Sequence, residues 1–177
     1  MNLKLADMDD FDNVYAIMKK SFPIDEYRPY HKQKELLNNP KYKVYLHSST
    51  NNEIFNGFIT VWQFDNFAFV EHLAVSPDCR NLGIGSKILN ELSKMLSCQI
   101  CLEVEMPDTP IAKRRIEFYK RNGFYINNYP YIQPAYSKER NEIPMILMTT
   151  QKPINETAFN HFKLALYKEV YNVNINQ

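Results

Sequence analysis

This chain of 177 residues has few cysteines, no long apolar run and no excess of charge of either sign. Its three cysteines are an odd number, which argues against a disulfide framework. Its 21 basic side chains nearly balance its 20 acidic ones, so no overall basic field draws the protein to nucleic acid or to a membrane surface. The composition therefore excludes the classes of protein that depend on disulfides or on strong surface charge.

No apolar run approaches the roughly 18 to 20 residues that span a bilayer, and the N-terminus lacks the apolar core of a secretory signal. Cys98 and Cys101 form a C-x-x-C pair, but no second pair and no histidine cluster accompanies it. We expect these two residues to be apolar thiols rather than a zinc or redox centre. The sequence predicts a cytoplasmic protein without a metal site, and its length is most simply that of one domain.

The spacing of apolar residues predicts a mixed α/β fold. Strands are predicted at 3–5, 43–47, 54–62, 67–75, 99–105, 124–126 and 144–149, and helices at 10–21, 32–38, 84–96 and 111–122. Residues 1–150 are expected to form the domain, and residues 151–177 a polar linker with an amphipathic helix packed on it. The apolar face of that last helix has four members, Phe159, Phe162, Leu166 and Val170.

The most informative stretch is 69–96, where an apolar strand enters a glycine-containing loop that opens an amphipathic helix. The first N–H groups of a helix have no partner within the helix, and its dipole favours negative charge there, so this loop predicts an anion site. A dinucleotide fingerprint would need a third glycine where Ile88 stands, and no Gly-x4-Gly-Lys-Ser/Thr string occurs. The remaining pattern is Arg-x-x-Gly-x-Gly, from Arg80 to Gly85.

A second motif spans Ile116–Phe124. Gly123 is a natural left-handed helix stop, and Phe124 would re-enter the core as the first residue of a new strand. Tyr119 lies one turn before that stop, where its phenol could point toward the mouth of the neighbouring strands. The alternative is that Tyr119 is simply a packed aromatic residue.

Together the two motifs resemble the GNAT superfamily, the acyl-CoA-dependent N-acetyltransferases. The resemblance implies a mostly antiparallel, twisted sheet of six to seven strands flanked by helices, with a V-shaped splay between strands 4 and 5. It also implies acetyl-CoA as cosubstrate and no metal. The residues that would hold the cosubstrate, by their main chain in the strand and the loop, are Leu73, Ala74, Val75, Arg80, Asn81, Leu82, Gly83, Ile84, Gly85 and Ser86, together with Tyr119.

The chain departs from the family pattern in the helix that carries Tyr119. Many members have Asn and Ala where this sequence has Ala112 and Arg115, so the contact that the Asn usually makes with the pantetheine arm is in doubt. The basic residues Lys113 and Arg114 are open to two interpretations. They form either a solvated helix face or a clamp on a phosphate of the cosubstrate.

The expected chemistry needs a carboxylate. A lysine-like amine has a pKa near 10.4, so only about one molecule in a thousand is neutral at pH 7, and a general base would relieve that deficit. Glu71 and Glu103 are nearly level candidates, with Glu105 as a third; the alternative is a salt bridge within the sheet. Alternation places Glu71 on the strand face of Leu73.

Two other side chains near the strands have expected roles. His72 is a less favoured base, because a lone strand histidine is more often a hydrogen-bonded core residue. Tyr119 would hydrogen-bond the departing thiolate, since a phenol is a weaker acid than the thiol that it would protonate.

The acceptor is expected to be a small-molecule or peptide amine, bound by Asp25, Glu26, Tyr131 and Gln133. No nucleic acid or membrane partner is expected, and the protein would be a monomer or a homodimer. Two alternatives stay open. One is a non-catalytic acyl-CoA-binding or sensor domain on the same fold, and the other is a protein for a different phosphate ligand.

Overall fold

A computed structural model describes residues 3–48 and 55–173. The chain divides into two units, Met1–Ile100 and Cys101–Gln177, which we describe in turn. Seven strands and five α-helices lie in the described residues, so the predicted mixed α/β fold is confirmed. Most of the predicted turn between the second and third strands, residues 49–53, lies outside the described residues.

The first unit contains four antiparallel strands that pair in chain order. They are β1 (Leu3–Leu5), β2 (Tyr42–Ser48), β3 (Phe55–Gln63) and β4 (Phe67–Val75). The middle of β3 is buried without interruption from Gly57 to Trp62, and the first half of β4 is buried in the same way. Because neither strand alternates between apolar and polar residues there, both faces of this part of the sheet are covered.

Three helices cover this sheet: α1 (Phe11–Ser21), α2 (Tyr30–Glu35) and α3 (Ile84–Met95). The buried residues of α1 and α3 follow the helical period, as predicted, and in α3 they include Ile88 and Leu92. Helix α2 begins two residues earlier than predicted, after the N-cap residue Pro29, whose carbonyl accepts the first helical hydrogen bond from the Gln33 N–H at 3.0 Å. A short 3₁₀ turn, Leu36–Asn38, then continues it.

Gly57 allows β3, β4 and α3 to approach closely. A Cβ placed on this glycine would lie 2.9 Å from the Ala74 carbonyl oxygen and 3.0 Å from Cδ1 of Ile88. Contacts shorter than 3.0 Å are essentially never tolerated at a Cβ, so a larger residue here would displace the main chain of β4. This packing fixes the first turns of α3 against the end of β4, from which the glycine-containing loop emerges.

The second unit has its own antiparallel strands. They are β5 (Gln99–Glu105, whose first two residues belong to the first unit), β6 (Phe124–Gln133) and β7 (Ile143–Thr150), with β7 paired to both others. Helix α4 (Pro110–Arg121) is capped by Thr109, whose hydroxyl accepts from the Ala112 N–H at 3.1 Å. It ends before Gly123, which has the predicted positive φ of 83°.

Strand β6 continues beyond its predicted end at Ile126, because the sheet accommodates the polar side chain of Asn127. Its side-chain N–H groups donate to the Leu147 carbonyl and the Thr149 hydroxyl, and its Oδ1 accepts from the Ile154 N–H at 2.9 Å. An irregularity in register between Asn127 and Tyr131 then carries the strand past the proline that follows. The satisfied amide removes the cost of burying a polar residue in a strand.

The last helix, α5 (Glu156–Ala165), is capped by Asn155, whose side-chain Oδ1 accepts a hydrogen bond from the Ala158 N–H at 2.9 Å. It continues into a π-helical turn, Leu166–Val170. The four residues of its predicted apolar face are all buried, and within this unit Phe159 packs on Tyr129 of β6 with ring centroids 4.8 Å apart. None of the helices in the described ranges is long and apolar enough to cross a membrane.

Candidate functional site

The loop between β4 and α3 changes direction through two residues with positive φ. After a 3₁₀ turn, Pro77–Cys79, the chain passes Asn81 with φ of 64° and Gly83 with φ of 73°. Arg80 Nε donates to the Val75 carbonyl at 3.4 Å, which ties the loop to the end of β4. The left-handed conformation at Gly83 places the start of α3 directly after the loop.

The start of α3 can receive an anion. Its first helical hydrogen bond runs from the Lys87 N–H to the Gly83 carbonyl at 3.1 Å, so the N–H groups of Ile84, Gly85 and Ser86 have no acceptor within the helix. A Cβ on Gly83 would meet nothing within 4 Å, and Leu82 is 65% exposed. The glycine is thus required for its φ and not for lack of space, and the binding of a diphosphate at these N–H groups stays a prediction.

The residues predicted to pair with a pantetheine arm, Leu73 to Val75, form the last part of β4. There they pair with Gly57–Ile59 of β3. Ala74 is buried, whereas Leu73 and Val75 are half-buried. Their role toward a cosubstrate stays a prediction.

Glu71 is the extra residue of a bulge in β4. Thr60 of β3 pairs with His72, and Val61 pairs with Val70, so no residue of β3 lies opposite Glu71. The bulge interrupts the alternation from which we expected Glu71 on the face of Leu73. Bulges of this kind redirect a side chain, and here the Glu71 side chain is fully buried.

The Glu71 carboxylate is held by two donors. Arg28 Nη1 lies 2.7 Å from Oε1, and Trp62 Nε1 lies 3.0 Å from Oε2. Burial on its own would raise the pKa of Glu71, but the Arg28 charge, followed by His72 and the indole N–H, holds that pKa below its ordinary value of 4.5. The carboxylate is therefore ionised at neutral pH, and it is a weaker base than a solvated glutamate.

His72 is a hydrogen-bonded core residue. Its Nε2 lies 2.8 Å from the Glu26 carbonyl oxygen and its Nδ1 lies 3.2 Å from the Thr60 hydroxyl. Burial lowers the pKa of His72 below 6.5, although the nearby Glu71 charge opposes this shift. A neutral ring fits both contacts, with the Nε2–H donating to Glu26 and Nδ1 accepting from Thr60.

The segment between α1 and α2 is tied to β4 by this buried network. Its Arg28 side chain binds Glu71, its Glu26 carbonyl binds His72, and the Arg28 N–H donates to Gln33 Oε1 at 3.4 Å. Asp25 and Glu26, predicted to bind the acceptor, lie half-buried in a 3₁₀ turn of this segment. The network therefore fixes the position of both acidic residues.

In the second unit, Glu103 accepts a hydrogen bond on each carboxylate oxygen. The Tyr131 hydroxyl donates to Oε1, and the Tyr171 hydroxyl donates to Oε2 at 2.7 Å. Burial, and next the Glu103 charge, raise the pKa of Tyr131 well above its usual value. At neutral pH this phenol therefore keeps its proton and acts as a donor to Glu103.

Glu105 of β5, the third candidate for the general base, belongs to a partly exposed ion pair. Arg115 Nη1 lies 2.9 Å from its Oε2, and the two side chains are 38% and 29% exposed respectively. Arg115 is thus held on β5, whereas its neighbours Lys113 and Arg114 are exposed. The phosphate clamp and the solvated face both stay possible interpretations for those two residues.

Tyr119 is half-buried in the last turn of α4, with its ring centroid 5.2 Å from that of Phe118 and 5.6 Å from that of Phe124. Gln133, a predicted acceptor contact, is only 2% exposed and ends β6 opposite Ile143. Neither observation tests the predicted roles of these two residues.

The two cysteines of the C-x-x-C pair are free thiols. Cys101 is buried and Cys98 is half-buried, and burial raises the pKa of Cys98, which disfavours a reactive thiolate. Within residues 3–48 and 55–173, no group of three or more His, Cys, Asp or Glu residues is placed to hold a metal ion.

The sequence analysis missed three residues of these clusters, namely Arg28, Trp62 and Tyr171. A glutamate on an otherwise apolar strand needs a buried partner, so a search for an arginine next to an aromatic residue would have drawn attention to Arg28, which follows Tyr27. No comparable local signal marks Tyr171, because it lies 68 residues from Glu103.

Comparison with known proteins agrees with the fold. A solved structure from Bacteroides thetaiotaomicron, assigned to the GNAT family of acetyltransferases, is 32% identical, covers 98% of this chain and 100% of its own, and has a TM-score of 0.87. The Bacillus subtilis protein YjbC, whose name assigns it to the acetyltransferases, is 32% identical over 114 residues. That match covers 63% of this chain and 56% of YjbC, so the chain spans only about half the length of that relative.

A more distant solved structure, an aminoglycoside 6′-N-acetyltransferase complexed with coenzyme A, shares the fold at 19% identity. It covers 88% of this chain and all of its own, with a TM-score of 0.60. The family model for the acetyltransferase (GNAT) domain matches residues 40–126, which include β4, the loop, α3, β5 and α4. This chain therefore belongs to the GNAT family of acetyltransferases, as its two motifs indicated.

Proposed function

We propose that this protein transfers the acetyl group of acetyl-CoA to a primary amine by direct attack of the amine on the thioester. Membership of the family supports acetyl transfer in general. The observation that carries the finer proposal is the start of α3, where three N–H groups and an open left-handed glycine follow β4. Such a helix start suits a diphosphate, which is the most highly charged part of coenzyme A.

In this proposal the loop and the end of β4 bind the cosubstrate. The residues Arg80 to Ser86 hold the diphosphate through main-chain N–H groups, with the Arg80 side chain nearby as a cation. The main chain of Leu73, Ala74 and Val75 pairs with the amide groups of the pantetheine arm. Because these contacts use the backbone, side-chain changes in this part of β4 affect affinity mainly through packing.

The acceptor amine must lose a proton, and Glu103 is the carboxylate that we assign to this task. Both of its oxygens are hydrogen-bonded by phenols, which fits an ionised, oriented group. Glu71 is the second candidate. Because Arg28 binds it at 2.7 Å and its pKa is lowered, Glu71 is a weaker base than a solvated glutamate, and it is better suited to holding the β4 bulge and the α1–α2 segment.

Two further groups complete the proposal. Tyr119 donates a hydrogen bond to the developing thiolate, which stabilises the leaving group without requiring full proton transfer. For the acceptor, we expect Asp25 and Glu26 to attract a cationic amine, and Tyr131 and Gln133 to contribute polar contacts. The acceptor itself is a small-molecule or peptide amine.

The test is a thiol-release assay with acetyl-CoA and a panel of amines. We expect release that depends on the amine, and we expect Glu103→Gln to lower kcat/KM by roughly 10² to 10⁴. Glu105→Gln is the matched control on the same strand. The Glu105 carboxylate is paired with Arg115, so this variant is expected to change the rate little.

Thermal melts with acetyl-CoA, ATP and NAD separate the alternatives. Acetyl-CoA alone should raise the melting temperature, since only a ligand of the native state stabilises it. Stabilisation by acetyl-CoA without thiol release from any amine would replace this proposal with a binding or sensor domain. No response to acetyl-CoA at millimolar concentration would contradict the proposal altogether.

A further inference from the structure

The C-terminal segment supplies one of the two hydroxyl groups that bind Glu103. The Tyr171 hydroxyl donates to Oε2 at 2.7 Å, and the Tyr131 hydroxyl of β6 donates to Oε1. Tyr171 is 7% exposed and Tyr131 is 4% exposed, whereas Glu103 is half-buried, so both tyrosines are buried and the carboxylate is only partly so. We call Glu103, Tyr131 and Tyr171 the carboxylate clamp.

The backbone that carries Tyr171 is irregular. The π-helical turn Leu166–Val170 immediately precedes it, and the Tyr171 N–H donates to the Leu166 carbonyl at 3.1 Å, five residues back. Asn172 then has a positive φ of 54°. Turns of the π type are rare and occur often at functional sites, because they redirect the side chains that follow them.

The Tyr171 side chain is also fixed laterally. Its ring lies 5.0 Å from that of Tyr136, and Leu166 and Val170 anchor the turn in the core at 0% and 1% exposure. The phenol is thus presented to Glu103 by packed residues on both sides of the turn. A surface helix that served only to cover β6 would need the apolar anchors but not a buried hydroxyl aimed at a carboxylate.

Hydrogen bonds to both carboxylate oxygens restrict the orientation of a glutamate more than a single hydrogen bond does. The terminal torsion of a glutamate is broad, so a single hydrogen bond leaves the carboxylate plane free to turn. One phenol on each oxygen defines that plane. A base whose lone pairs must meet an amine proton at about 2.6 to 3.2 Å gains from such orientation.

We infer that Tyr171, together with Tyr131, positions Glu103 for the acceptor amine, so the C-terminal segment is part of the reacting site and not a structural appendage. This inference rests on the proposed role of Glu103 in acetyl transfer. It adds a positioning residue from outside residues 40–126, the region that the family model covers.

A double-mutant cycle tests the inference. Tyr171→Phe keeps the ring against Tyr136 and removes the hydroxyl, together with its donation to Glu103 and its 3.5 Å contact with the Tyr136 hydroxyl. We expect kcat to fall about tenfold or more, with the KM for acetyl-CoA unchanged. In a Glu103→Gln background the same substitution should change kcat less than about threefold, since a residue that acts through Glu103 has nothing left to position. Tyr131→Phe is run through the same cycle.

Tyr125→Phe is the matched control, because Tyr125 lies on β6 and is 46% exposed. All variants are melted first, and the assays are run below every melting temperature. If wild type transfers acetyl groups but Tyr171→Phe and Tyr131→Phe behave like Tyr125→Phe, or if their effects simply add to that of Glu103→Gln, the inference is wrong and the proposed function stands. If wild type shows no amine-dependent thiol release, the proposed function itself fails.

Discussion

The buried ion pair between Arg28 and Glu71 predicts that Glu71→Gln destabilises the protein strongly. Arg28 is 7% exposed and Glu71 is fully buried as side chains, and their N–O distance is 2.7 Å. The glutamine keeps the size of the side chain and an acceptor for the Trp62 N–H. It removes the negative charge that lies 2.7 Å from the Arg28 guanidinium, which then remains buried.

The magnitude follows from that residual charge. Removing one partner of a buried ion pair costs about 3 to 5 kcal/mol, mainly because the other charge is left without compensation. For a chain of this size, each kcal/mol lowers the melting temperature by about 2 to 4 °C. We therefore expect a decrease of roughly 6 to 20 °C, measured by thermal melts at pH 7 and checked by urea unfolding.

Two further variants separate charge from packing. Glu105→Gln removes a pair whose side chains are 29% and 38% exposed, and such a pair contributes only about 0 to 1 kcal/mol. Adding Arg28→Met to Glu71→Gln removes the stranded cation and should recover part of the lost stability. A cost below about 1 kcal/mol for Glu71→Gln, or no recovery in the double variant, would refute this account of the network.

Three other predictions follow from the described residues. Because burial lowers the pKa of His72, the unfolded chain takes up a proton below about pH 6.5 that the folded protein does not, and stability is lost there. The lowered pKa of Glu71 causes a further loss of stability below about pH 4.5. Melting temperatures should therefore fall from pH 7.5 to 5.5 and again toward pH 4, and a flat profile would contradict this. Tyr119→Phe should lower kcat by roughly 10 to 10³ with little change in the KM for acetyl-CoA, and unchanged steady-state kinetics would remove Tyr119 from the mechanism. Gly57→Ala should cost about 1 to 3 kcal/mol in urea unfolding, because its Cβ would lie 2.9 Å from the Ala74 carbonyl oxygen; a neutral result would show that β3 and β4 can separate there.

The sequence was sufficient wherever local chemistry decides the structure. Strands β4 and β5 have the predicted bounds, because each is rich in apolar and β-branched residues and is followed closely by a proline. Helix α4 stops before Gly123, where a positive φ was expected. The loop that opens α3 was likewise readable from Arg80 to Gly85, since glycine spacing and the helix start are both local.

Tertiary contacts decided the rest. The predicted strand ended at Ile126, but the strand continues because the amide of Asn127 finds partners on β7 and at Ile154. Arg28, the partner of Glu71, lies 43 residues away from it in the sequence, and Tyr171 lies 68 residues from Glu103. No periodic pattern connects residues so far apart. The predicted splay between the fourth and fifth strands stays a prediction.

The π-helical turn holds one residue more than a turn of α-helix would, and this sets the direction of Tyr171. Closing the same residues in the regular α-helical pattern would rotate everything after them by about 100° around the helix axis and carry Tyr171 away from Glu103. Deleting a single residue within Leu166–Val170 would instead let the N–H of the tyrosine bond the Leu166 carbonyl four residues back, so the tyrosine would keep nearly its present direction. Related chains with one residue fewer at this turn are therefore expected to keep the oriented carboxylate in a regular helix.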